Sequence, residues 1–287
     1  MVGRLDVVGR AHSEIRMAVA EQAMRRAERG AQITAWYQAR LDDDSVEVEV
    51  TGSPEAGYSN EVLFATLTRD DVVEPIVVRL PPTGPPLFPR YDLGMQVAVQ
   101  ELAASAGVPV PAPIVLEQDE AWLGAPFLVM PLVAGRIPAE VPANCDWLLA
   151  LSADEQQAIE VGFLGALATL HRAPVDRGRS GGLRDPGSLA AELDWWTDFA
   201  TFACDGVAPE PLLALIEWCR ARRPATDPPS SVLWGDVRLG NAIVGDDGAP
   251  AAILDWEMAS IGPAEMDVAW YTSQERMMAR FFGTTVP

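Results

Sequence analysis

The stretch Val232–Glu257, VLWGDVRLGNAIVGDDGAPAAILDWE, decides how the rest of the chain is read. Asp236 is followed five residues later by Asn241, and Asp255 ends the apolar run Ala251-Ala252-Ile253-Leu254. An aspartate in a short loop can orient a hydroxyl and accept its proton. An asparagine and a second aspartate offer magnesium the hard oxygen ligands it prefers. Phosphoryl transfer needs these groups, because positioning and charge neutralisation do most of its catalytic work. Ala242–Val244 and Ala251–Leu254 read as short strands around the turn residues Gly245-Asp246-Asp247-Gly248. A hairpin brings the residue before its first strand near the residue after its second, so Asn241 and Asp255 are expected side by side.

Three motifs in order, Gly235-Asp236-x-x-x-x-Asn241, then Leu254-Asp255-Trp256-Glu257, then Gly262-Pro263-x-Glu265-x-Asp267-Val268-Ala269-Trp270, resemble the aminoglycoside phosphotransferase (choline kinase-like) family. The wording is similar to its bacterial branch, related to the kinase domains of acyl-CoA dehydrogenase fusions. The resemblance implies an α+β, bilobal, protein-kinase-like fold. Residues 1–131 would form a small β-rich nucleotide-binding lobe with an N-terminal helix, and 132–287 a mainly helical catalytic lobe with its C-terminal helices short or missing. It implies ATP, or GTP in its place, bound between the lobes with Mg2+ held by Asn241 and Asp255. Asp236 would take the proton of an acceptor hydroxyl. Arg238 would neutralise the transferring phosphate or pair with an acidic neighbour, and Asp267 would brace the catalytic loop. Glu257 is a lesser candidate near the metal. Trp234 stands where kinase relatives often carry a histidine of architectural use.

Upstream, Ala11–Leu41 has helical spacing, with Gly30 a point of breakage or bending. Ser45–Val50, Glu61–Thr68 and Pro75–Leu80 read as strands. Between the first two, Gly57, Tyr58, Ser59 and Asn60 resemble the family's glycine/serine loop over the phosphates. Arg79 matches the basic residue that holds phosphate, where a guanidinium can make two parallel bonds. In the helix Tyr91–Ala104, Gln96 replaces the glutamate that usually pairs with that residue. Met130 and Leu132 lie in the expected hinge and would offer main-chain groups to adenine. Asp154–His171 is a helix with Ser152 and Glu155 as a capping box. His171 reads as structural, at the carbonyl end of that helix. Trp195 and Trp196 on Leu189–Ala200, and the helix Pro211–Arg222, read as core.

With 287 residues, 41 acidic against 21 basic and a net charge of −20, the chain would repel nucleic acid and anionic membranes. No apolar run is long enough to span a bilayer, and the start MVGRLDVVGR lacks a secretion signal, so a cytoplasmic protein is expected. Cys145, Cys204 and Cys219 have no paired spacing and read as reduced, mostly buried thiols. The expected partner is a small-molecule hydroxyl substrate, with a homodimer possible through the surface left by missing helices. Gln96 and the early end at Pro287 leave open a nucleotide-binding module without turnover. Metal-dependent hydrolysis by the same acids is a third reading.

Overall fold

The structure, a computed structural model, describes residues 23–54, 60–82, 84, 86–139 and 144–282; Gly57, Tyr58 and Ser59 lie outside the described residues. The chain divides into two compact units, Met1–Gly84 with Val115–Leu132, and Pro85–Ile114 with Val133–Pro287. The segment 85–114, expected in the first lobe, groups with the second unit. Sheet dominates the first unit and helix the second, the α+β division expected.

The first unit is a helix, α1 (residues 23–41), packed on an antiparallel sheet. Its strands are β1 (Glu47–Gly52), β2 (Glu61–Arg69), β3 (Val72–Leu80), β4 (Val115–Glu117) and β5 (Phe127–Pro131), in the order β1-β2-β3-β5-β4. β2 and β3 pair from Glu61↔Leu80 to Arg69↔Val72. The two residues between them, Asp70 and Asp71, both have positive φ (49° and 63°), which is the backbone of the tight hairpin turn whose twist matches the strands. Along β2, Leu63, Ala65 and Leu67 are buried while their neighbours are not, the period of two that turns one face to the core. Ile33 and Trp36 of α1, one helical step apart, are fully buried against that face. Trp36 meets Phe127 edge-on at 5.1 Å and donates Nε1–H to Glu117 at 2.8 Å. Gly30 does not break the helix. A Cβ there would lie 3.0 Å from the Val48 carbonyl, so the missing side chain lets α1 approach β1.

The second unit is built from α2 (Leu93–Ala106), α3 (Asp146–Leu149), α4 (Ala153–Leu170), α5 (Val175–Ser180), α6 (Leu189–Ala203), α7 (Glu210–Arg222) and α8 (Glu265–Phe282). Two strand pairs complete it: β6 (Ser230–Leu233) with β9 (Ser260–Pro263), and β7 (Ala242–Val244) with β8 (Pro250–Ile253). Local chemistry starts the helices. Asp92 accepts from Met95 N–H at the head of α2, and Ser152 and Glu155 form the expected reciprocal capping box on α4. The core gathers Val99 of α2, Phe163 and Leu167 of α4, and the buried indoles of Trp234 and Trp256.

Two expectations about this unit fail. Trp195 and Trp196 are only partly buried, and the residues that α6 buries are Glu192 and Ala200. α7 buries only Ile216, while Leu212, Leu213, Leu215 and Trp218 stay exposed. Helical spacing of apolar residues marks a face, not what covers it. Among the cysteines only Cys145 is buried; all three are free.

Candidate active site

β6 and β9 pair from Ser230↔Pro263 to Leu233↔Ser260, so the whole segment 234–259 emerges from one end of this ribbon. Within it, Ala242 pairs with Ile253 across the β7–β8 hairpin, and Leu254 N–H donates to the Asn241 carbonyl at 2.8 Å. The hairpin thus sets the backbone of Asn241 beside Leu254, with Asp255 next in line. Asp255 has φ +60°, a left-handed conformation uncommon outside glycine and frequent at functional turns.

Trp234 takes over an architectural task. Its indole N–H is shared between the carbonyls of Leu254 (3.0 Å) and Asp255 (2.9 Å), tying the loop that carries Asp236 to the turn that carries Asp255. From α8, buried Asp267 accepts the backbone N–H groups of Trp234 and Gly235, each at 2.9 Å. His171, at the end of α4, places Nε2 2.8 Å from the same carboxylate. A carboxylate answering one buried and one partly buried N–H donor is a strong, directional brace. Gly235 has φ +90°, and a Cβ there would overlap the Met258 main chain, so only glycine permits this bend.

The Asp236 carboxylate is held on both oxygens. Oδ2 accepts from Asn241 Nδ2 (2.8 Å) and Arg238 Nε (3.1 Å), and Oδ1 from the indole N–H of Trp270 on α8 (3.1 Å). Asn241 Nδ2 also reaches the Asp236 carbonyl at 3.2 Å. With both amide hydrogens facing Asp236, Oδ1 of Asn241 is the oxygen left to a cation. Among the described residues no group of three or more His, Cys, Asp and Glu is arranged for a metal. Asn241 Oδ1 and the Asp255 carboxylate are the oxygens at this turn that could hold a magnesium ion. That donor set suits the ion, which is usually held by one or two carboxylates plus substrate phosphates.

Asp236, Arg238, Leu239 and Gly240 line one side of a cavity of about 210 Å³; Gln274, Glu275 and Met278 of α8 line another. Burial, and then the nearby Glu160 carboxylate, raise Glu275 above the usual carboxylate range. Burial and a 2.8 Å hydrogen bond donated to Glu160 push the Tyr271 phenol far up, so it stays a neutral donor.

The remaining sequence candidates sit as follows. Arg79 lies on β3, paired with Val62 and Leu128, on the face opposite buried Val78 and Leu80. Asn60 immediately precedes β2. Met130 is buried in β5 opposite Val77. Leu132 gives its N–H to the Pro75 carbonyl at 2.9 Å, so a main-chain contact from it would have to come from its carbonyl. Gln96 is buried in α2, and its Oε1 finds no hydrogen-bond partner among the described residues. The sequence reading named Trp270 only as the end of its third motif and gave it no role, missed Gln274 and Glu275, and gave His171 no partner. Spacing pointed the same way for Trp270, which lies three residues after Asp267 on a helix and hence on the same face.

The model of the phosphotransferase enzyme family (APH) matches residues 53–283. The chain belongs to this family. Human acyl-CoA dehydrogenase family member 11 is 29% identical over 260 residues, covering 89% of this chain and 31% of that protein. The probable acyl-CoA dehydrogenase IBR3 of Arabidopsis thaliana is 27% identical over 229 residues, 75% of this chain and 26% of that one. The chain thus spans about a third or less of these curated relatives. A putative aminoglycoside phosphotransferase from Ralstonia eutropha JMP134 shares the fold at TM-score 0.63 and 19% identity, over 90% of this chain and 81% of that one. A thermostable mutant of aminoglycoside phosphotransferase APH(4)-Ia, in a ternary complex with AMP-PNP and hygromycin B, shares it at TM-score 0.55 and 14% identity, over 88% of this chain and 81% of that one. No helix among the described residues is long and apolar enough to cross a membrane.

Proposed function

We propose that this phosphotransferase moves the γ-phosphoryl group of ATP, with magnesium, to a hydroxyl of a small molecule. The observation that carries the reading is the Asp236 carboxylate, fixed by Asn241, Arg238 and Trp270 beside the hairpin that brings Asn241 to the Asp255 turn. Asp236 would orient the acceptor hydroxyl and take its proton as the oxygen bonds to phosphorus and ADP departs. It need not be a strong base, because the hydroxyl acidifies as that bond forms. Asn241 Oδ1 and Asp255 would hold the magnesium ion, whose charge offsets that of the phosphates. Arg238, partly exposed at the cavity, can turn from Asp236 to the transferring group. Arg79, Gln96, Asn60, the loop Gly57-Tyr58-Ser59 and the main chain at Met130 and Leu132 belong in the proposal as the nucleotide's contacts, with GTP as the alternative donor.

Melting the protein with ATP and magnesium, each alone and together, tests the reading. The account expects a rise in melting temperature that needs both, and its loss in Asp255→Ala. No shift in the unmodified protein, or an unchanged shift in the variant, defeats it.

A further inference from the structure

The cavity beside Asp236 carries polar groups that the proposed chemistry leaves unused. Glu275 of α8 lines it together with Asp236 and Arg238. Among the described residues no hydrogen bond or ion pair reaches the Glu275 carboxyl. The two influences on it, burial and the Glu160 carboxylate, both oppose its charge. Its neighbour Gln274, partly buried on the same wall, likewise makes no side-chain hydrogen bond among the described residues. A polar group kept from water without a partner weakens the fold, so a ligand that answers it is held the more tightly. A carboxyl whose hold on its proton is altered, set in a cavity next to a second carboxylate, is a mark of a working site.

Size and lining say what the cavity takes. Its volume of about 210 Å³ is on the order of seven waters at ~30 Å³ each, and lies below the roughly 300–1,000 Å³ of sites that enclose drug-sized ligands. One small ring or a short carbon chain fits inside; linked rings do not. Part of the wall is apolar, with Pro138, Leu148 and Met278, and can take C–H surface; Asp236, Gln274 and Glu275 supply the polar part. An alcohol with no second polar group would cover the Glu275 carboxyl and the Gln274 amide and leave both unanswered. An ammonium gains less than a hydroxyl, because the Arg238 guanidinium already brings positive charge to the cavity and Glu275 is pushed toward its neutral acid. A hydroxyl both donates and accepts, so it pairs with Glu275 whether or not the carboxyl holds its proton, and with the Gln274 amide as well.

We propose that this cavity is the acceptor subsite and that it selects a small neutral polyol, with one hydroxyl at Asp236 and another held by Gln274 and Glu275. The proposal rests on the phosphotransferase reading, and its test separates the two. Five polyols (erythritol, threitol, ribitol, arabinitol and xylitol) are compared with pentan-1-ol, 5-aminopentan-1-ol and maltotriose. Binding is measured by saturation-transfer NMR on the full chain, on Glu275→Ala and on Glu275→Gln, each checked for an intact melt. Gln274→Ala stands in, with the same weakening expected, if Glu275→Ala does not fold. At least one polyol should bind more tightly than all three comparison compounds. Glu275→Ala should weaken that polyol by roughly 10-fold and leave pentan-1-ol within a factor of about two. Glu275→Gln keeps a hydrogen-bonding group of the same size and should recover most of the loss. No polyol bound, tighter binding of a comparison compound, no change in the alanine variant, or a glutamine variant as weak as the alanine one overturns the proposal. Labelled phosphate is then followed from the γ-position of ATP, with magnesium, into each compound. Transfer to a comparison compound but to no polyol overturns the subsite alone; polyol binding that depends on Glu275 with no transfer to any alcohol overturns the phosphotransferase reading and the acceptor role with it.

Discussion

Replacing Asp267 with alanine should remove the brace under the catalytic loop. The carboxylate is 1% exposed and holds the N–H groups of Trp234 and Gly235 at 2.9 Å each, with His171 Nε2 at 2.8 Å. A hydrogen bond to a charged group contributes about 1.5–3 kcal/mol, and each buried N–H left without an acceptor costs about 1–3 kcal/mol. These terms overlap, because the same bonds are counted from both ends, so a loss of about 3–5 kcal/mol is expected, the range seen when one partner of a buried pair is removed. Against an ordinary total of about 5–15 kcal/mol the protein should still fold. Its melting temperature should fall by on the order of 10 °C, at about 2–4 °C per kcal/mol for chains near this size. Differential scanning calorimetry measures the shift, and urea titration gives the free energy. Asp267→Asn keeps the volume and one acceptor oxygen but turns an NH2 toward an N–H donor, so it should lie between alanine and the unmodified chain. An alanine variant melting within about 2 °C of the parent would refute the idea that this carboxylate supports the loop.

Two further perturbations follow from single contacts. Gly235→Ala forces a side chain into a left-handed backbone and onto the Met258 main chain; the expected loss is about 2–4 kcal/mol by urea titration, and a loss under ~0.5 kcal/mol would contradict the geometry. Glu275 has its carboxyl raised, first by burial and then by Glu160 on α4, with Tyr271 beside Glu160 and with Asp236 and Arg238 lining its cavity. The folded chain then holds that proton more tightly than the unfolded chain. Ionisation works against the fold: the penalty is absent below the ordinary glutamate value of about 4.3, grows as pH rises through the folded value and is complete above it. Glu275→Gln should therefore raise stability near neutral pH and leave it unchanged in mild acid. A gain that is equal at both ends of the pH range would show that the charge is not the cause.

Local patterns carried the fold well. The strand read at Glu61–Thr68, the capping box at Ser152 and the hairpin around Gly245–Gly248 each depend on neighbours in sequence, and each is present. The adjacency of Asn241 and the Asp255 turn was legible for the same reason, since one hairpin produces it. What escaped was set by distant packing. The rings of Trp195 and Trp196 looked like core because periodicity does not say which face of a helix meets another. Trp270 could be placed near Asp267 by helical spacing, but its bond to Asp236 depends on how α8 lies against the loop after β6. His171 looked like a helix end at the carbonyl pole, and its partner stands 96 residues further on. Gly30 read as a breaker because glycine's poor helix propensity was visible and the Val48 carbonyl it accommodates was not.

Following 32P from the γ-position of ATP into an acid-stable ester is the most direct measurement. A library of hydroxyl compounds, small polyols included, would be incubated with magnesium and either the unmodified chain or Asp236→Asn. The account predicts label in at least one alcohol with the unmodified chain, and a drop of at least about a hundredfold in Asp236→Asn with magnesium-dependent nucleotide binding retained. Equal labelling by both proteins would contradict it.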